Sequence, residues 1–167
     1  MVDECATTTA MTRLYGRAPA GARVEDTVPQ EHWKIKTLAG ATRLDGVTAA
    51  LAYDGPTDAA AFLTFTQDTL VPTLKRGDVV ILDNLQPHKA GGVREAIEGC
   101  GARVLFLPPY SPDYSPIEPM WSKVKQHLRS AKARTDEALI DAMATGLRSV
   151  TAADMRGYFE KCGYMIH

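Results

Sequence analysis

A chain of 167 residues has the length of one domain, and 45% apolar with 23% charged residues is an ordinary balance for a folded globular protein. Its formal net charge of -1 excludes a wholesale polybasic nucleic-acid binder, so any attraction to phosphate has to come from local patches. Cys5, Cys100 and Cys162 are widely spaced with no C-x-x-C pair, which speaks against a disulfide framework or a zinc site.

Met1-Val2-Asp3-Glu4 starts without a charged leader or apolar core, and no apolar run approaches the ~18 residues of a membrane span, so the chain reads as a cytoplasmic domain. If Asp3 belongs to a strand, most of that strand is missing, and the acid sits on a fraying end. Thr7 to Glu31 reads as irregular and mildly basic, with Arg13, Arg17 and Arg23. Trp33 to Arg43 and Gly46 to Tyr53 look extended around Leu44-Asp45-Gly46, and Asp-Gly between such runs signals a hairpin. Asp54-Gly55-Pro56 makes a second turn. Asp58 is a candidate N-cap for a helix that turns Phe62, Phe65 and Leu70 toward the core and ends near Pro72.

Val79 to Leu82 is a short apolar strand that gives out at Asp83-Asn84. Val93, Ala96, Ile97 and Cys100 follow at amphipathic helical spacing, with Gly99 or Gly101 as the stop. Arg103 to Leu107 resembles a parallel strand covered on both faces. Ser115-Pro116-Ile117-Glu118 then opens a helix with Ser as N-cap and Glu three residues on; its buried stripe is Ile117, Trp121, Val124 and Leu128, edged by Met120. Thr135 and Thr151 are N-caps of two terminal helices, the last with Met155, Tyr158, Phe159 and Cys162 inward and Gly163 as its stop. The order is hairpin, then alternating helix and strand, then helices: a mixed α/β domain.

Strands of an open α/β sheet present their carboxyl ends to ligands, so Asp83 and Glu118 come to one sheet edge, where two carboxylates suit a hard cation. Each has a plainer reading, Asp83 as a turn-former and Glu118 as half of a capping box. His88 is a cap, a surface residue or a group that orients a ligand. Between Glu118 and Arg134 lie Lys123, Lys125, Arg129 and Lys132 with no further acid, which makes either a solvated helix face or a phosphate track. Asp3, Glu4, Asp45, Asp54 and Asp58 are further acids among which the residues alone do not choose.

LDNLQPHK and LPPYSPDYSPIEPMWSKVK, with 34 residues between Asp83 and Glu118, resemble the DDE transposases of the mariner-like superfamily, more narrowly its bacterial insertion-sequence branch. VDECATTTAMTRLYGRAP is similar to the stretch around that family's first catalytic acid, and HWKIKTLAGATRLDGVTAALAYDGPTD to its hairpin. The resemblance implies a ribonuclease-H-like fold over residues 1–167, with a shortened first strand and without the family's helix-turn-helix modules. It implies a catalytic, metal-holding trio of Asp3, Asp83 and Glu118, supported by Asn84 and His88, with DNA contacts from Lys123, Lys125 and Arg129. It also implies two Mg²⁺ or Mn²⁺ ions, DNA as substrate and a homodimer on that DNA. The activity implied is cleavage at transposon ends and strand transfer into target DNA. The competing readings are another ribonuclease-H-like nuclease, and a catalytically inactive remnant or DNA-associated module of the same fold.

Overall fold

The computed structural model describes residues 1–30 and 33–166; Glu31, the last residue of the expected irregular segment, lies outside the described residues. Strands β1 (Val2–Thr8), β2 (Ile35–Arg43) and β3 (Gly46–Asp54) form an antiparallel sheet in the order β1-β2-β3. Asp3 pairs with Gly40, and Leu44-Asp45 make the turn of the β2–β3 hairpin. Strands β4 (Val79–Leu82) and β5 (Arg103–Phe106) form a parallel pair. β1 packs beside β4, but among the described residues no backbone ladder joins the two sheets. Helices α1 (Ala59–Thr64), α2 (Val93–Gly99), α3 (Ile117–Ala131), α4 (Asp136–Arg148) and α5 (Ala152–Lys161) complete the mixed α/β order.

Alternate residues of a strand point to opposite faces, and β2 uses both. Leu38 enters a core with Ile117, Trp121 and Val124 of α3, Leu139 of α4 and Met155 of α5. Its neighbour Ala39 enters the opposite core, with Phe62, Phe65, Leu82, Val93 and Ile97. Helices therefore cover both faces of the sheet layer. Full burial of each Leu- or Phe-sized side chain contributes about 1.5–3 kcal/mol.

Several local readings hold. Asp58 caps α1 through Ala61 N–H, and Thr135 and Thr151 cap α4 and α5. Gly101, at φ +84°, takes the left-handed turn after α2 that other residues disfavour. The step from Phe65 to Leu70 is five residues, which an α-helix cannot keep on one face. The chain widens to a π turn over Phe65–Leu70, and both side chains are buried.

Other expectations are corrected. Thr7 and Thr8 belong to β1, which is seven residues long. Asp3 is the second residue of that strand, whose start is held: Met1 is buried, and its backbone nitrogen donates to Thr42 O at 2.9 Å while its carbonyl accepts from Thr42 N–H. β5 is covered unevenly, with Leu105 52% exposed, because α2 packs on the side of Val104 and Phe106.

Candidate active site

The three acids of the expected trio sit on three different elements. Asp3 is the second residue of β1, Asp83 follows the last residue of β4, and Glu118 lies in the first turn of α3. All three line one cleft of about 400 Å³, which Asn84, Lys89, Tyr110 and Ser115 also line. The packing of β1 beside β4 brings Asp83 into the same cleft as Asp3. The proline-braced segment after β5 then returns the chain over the cleft to α3.

Glu118 is left free by the way its helix begins. Pro116, at φ -65°, occupies the cap position and Ser115 stands one residue earlier, contributing its backbone carbonyl to Glu118 N–H at 3.1 Å. The expected capping box is therefore not made. Among the described residues the Glu118 carboxylate has no hydrogen-bond or ion-pair partner, so the plainer reading of this acid lapses.

His88 is buried rather than superficial, with its ring 4.2 Å from that of Phe62. Its Nε2–H donates to Glu4 Oε2 at 2.7 Å, and its Nδ1 lies 2.5 Å from Asp83 Oδ1. The second approach is close but poorly aligned for a hydrogen bond, and acts as a charge contact. Burial works against a charged ring, but the carboxylates on either side outweigh it and push His88 up to about 9. Burial would also raise Asp83; His88 and the Leu85 N–H override it and hold that carboxyl below its usual range. Asp3 moves the other way, to about 7, through burial first and then the negative charges of Glu4, Glu118 and Asp83, against an opposing backbone hydrogen bond.

Trp121 reads from sequence as core alone, yet its Nε1–H donates to Asp3 Oδ2 at 3.1 Å. The ring reaches Asp3 by lying against β2 at Gly40, where an added Cβ would stand 2.7 Å from the indole. Glu4, one of several undistinguished acids in the sequence, is the partner of His88. Of the others, Asp54 pairs with Lys36 at 2.5 Å and Asp58 caps α1. Lys89 brings a cation to the cleft that charge patterning did not single out. The roles of Trp121 and Glu4 had no local signal because each depends on a partner far away in the chain.

Asn84 lines the cleft as expected. Of the three expected DNA contacts, Lys123 is engaged within the chain: its ammonium is 2.5 Å from Asp154 Oδ2 on α5. Five residues past Glu118, it points about 140° around the helix from that acid. Lys125 lies on the Glu118 side, near enough to Cys5 for its charge to oppose the burial that pushes that thiol up to about 12. Arg129 is half-buried in the last turn of α3. None of the three lines the cleft.

Among the described residues, no group of three or more His, Cys, Asp or Glu side chains is drawn in tightly enough to hold a metal ion. The donor set is nonetheless one a hard divalent cation accepts: oxygen only, uncompensated at Asp3, and with Glu118 unengaged. None of the described helices is long and apolar enough to cross a membrane.

The architecture matches solved Mos1 transposase structures. The Mos1 strand transfer complex is 20% identical with a TM-score of 0.74, over 96% of this chain and 50% of that one. The pre-cleavage Mos1 transpososome is 18% identical with a TM-score of 0.71, over 99% and 56%. The Mos1 mariner paired-end complex with Mn is 18% identical with a TM-score of 0.69, over 96% and 52%. The likeness is one of fold, bears out the ribonuclease-H-like α/β class, and spans about half the length of those chains. Among curated proteins none matches the chain. A family model described as DDE superfamily endonuclease matches residues 1–140, a stretch that holds Asp3, Asp83 and Glu118. The chain belongs to the DDE superfamily endonucleases.

Proposed function

We propose that this chain is the catalytic domain of a metal-dependent DNA transposase, which cleaves phosphodiester bonds at the ends of a mobile element and joins the freed 3′-hydroxyl to target DNA. The observation that carries the reading is the meeting of Asp3, Asp83 and Glu118, from three separate elements, in one cleft of a family endonuclease. The Mos1 relatives were captured as strand transfer and paired-end complexes, one of them with Mn, and this chain is read by that analogy.

Asp3, Asp83 and Glu118 would hold the metal, with Mg²⁺ or Mn²⁺ as the ion and two ions per site. A pair of such ions, when bound, stabilises negative charge on the attacking and leaving oxygens of an in-line displacement. The residues do the rest. Trp121 and His88 fix where Asp3 and Asp83 point, and Glu118 closes the site from α3. Asn84 lies beside Asp83 at the cleft wall. Lys125 and Arg129 offer a phosphate track along α3, and pairing of two element ends calls for a homodimer on DNA.

Purified protein with Mg²⁺ or Mn²⁺ should nick duplex DNA carrying the terminal repeats that flank its reading frame, and Asp83→Asn should abolish the nicking while leaving DNA binding in place. DNA binding without nicking in the unsubstituted chain would replace this reading with that of a non-catalytic module.

A further inference from the structure

We infer that Glu4 is a positioning residue of the active site: acting through His88, it sets the direction of the Asp83 carboxylate and the separation of Asp83 from Asp3. The inference rests on the reading of Asp3 and Asp83 as ligands of one metal site. Three observations carry it.

The first is topological. Asp3 belongs to the antiparallel sheet and Asp83 follows the parallel pair, with no backbone ladder between β1 and β4 among the described residues. Their spacing therefore has to be held by side chains. The second is the bridge itself. Glu4 is the next residue after Asp3, its side chain is 9% exposed, and it accepts from His88 Nε2 at 2.7 Å while Nδ1 of the same ring stands 2.5 Å from Asp83. One imidazole thus spans the seam, with a carboxylate from each sheet at either end. The third is that the ring has little room to turn away. It is fully buried and lies on Phe62, while Pro87–Lys89 form a single tight helical turn that fixes its backbone.

Outer partners that orient a metal ligand cost roughly 10–100-fold in metal affinity when removed. Glu4 has that relation to Asp83 at one remove. Asp54, an acid also at a strand end, pairs instead with Lys36 away from the cleft.

The test uses the whole chain and Mn²⁺. Isothermal titration would give the Mn²⁺ affinity of the wild type, Glu4→Gln and Glu4→Ala, with circular dichroism to check the fold. Independently of metal, ¹⁵N chemical shifts of the His88 ring would be compared between wild type and Glu4→Gln. The expected result is a folded Glu4→Gln protein whose Mn²⁺ affinity falls about tenfold, whose ring nitrogens shift, and whose nicking at saturating Mn²⁺ falls less than at limiting Mn²⁺. If Glu4→Ala does not fold, the isosteric Gln variant carries the result. Wild-type Mn²⁺ affinity in both folded variants, with an unshifted His88 ring, overturns the inference and leaves the transposase reading standing. Absence of Mn²⁺ binding by the wild type overturns both.

Discussion

The two sheets are built to different standards. β1, β2 and β3 are bonded along seven to nine residues each, with cores on both faces. β4 and β5 are four residues each, and β5 is covered unevenly. Among the described residues, two side-chain ties span the seam between them. At one end Arg43 of β2 makes a bidentate bond to Asp78, just before β4, at 2.9 and 2.5 Å. At the other His88 stands between Glu4 and Asp83. The long sheet supplies rigidity, and the short pair supplies an acid whose position is set by contacts rather than by a ladder. A site at such a seam can be altered without unfolding the chain.

That contrast can be broken most severely at the acid that holds nothing up. Glu118→Gln should eliminate metal-dependent nicking while changing the unfolding free energy, read from chemical denaturation, by no more than about 0.5 kcal/mol, since the carboxylate has no partner among the described residues to lose. A large loss of stability would mean that it serves the helix after all. Trp121→Ala should impair nicking as well, but at a structural cost of about 3–5 kcal/mol for a buried indole, read from chemical denaturation. Trp121→Phe sharpens the point by keeping an aromatic ring in the core while removing the bond to Asp3 and the outer indole atoms that lie against Gly40. Gly40→Ala comes next, at about 1–3 kcal/mol of overpacking, because a methyl there meets the indole. Tryptophan fluorescence should shift along with it.

The smallest effect belongs to the other tie. Arg43, with further help from the Lys75 N–H, holds Asp78 near 2, below the ordinary 3.8. A carboxyl held low when folded adds stability above about pH 4 and loses it as the pH falls through 2. With both partners partly exposed, the contribution is about 1 kcal/mol. Asp78→Asn should flatten the acid limb of the unfolding curve between those values; an unchanged limb would show that the bidentate pair contributes nothing at the seam.

Much of the fold was legible because it is local. Asp45-Gly46 announced the hairpin, Asp58, Thr135 and Thr151 their caps, and the spacing from Ile117 to Leu128 the buried face of α3. The uneven cover of β5 was not legible, since an apolar strand looks the same whether or not its two sides are covered alike. At the site, family likeness pointed to Asp3, Asp83 and Glu118, and the cleft brings those acids together. The supporting groups stayed hidden because their partners are remote: Glu4 and His88 are 84 residues apart, Asp3 and Trp121 118. The ion pair of Lys123 was equally hidden, because a cation on a basic stretch gives no sign of an aspartate on a later helix.

Trp121 serves both the frame and the site. The same indole that seats α3 on β2 also aims Asp3, so thermal tolerance and chemical competence share one side chain. A selection for faster variants would find this position closed to it, since any replacement that freed Asp3 to move would also loosen the helix behind it. Improvement would have to come instead from the rim, where Asn84, Lys89 and Tyr110 can change without touching the frame.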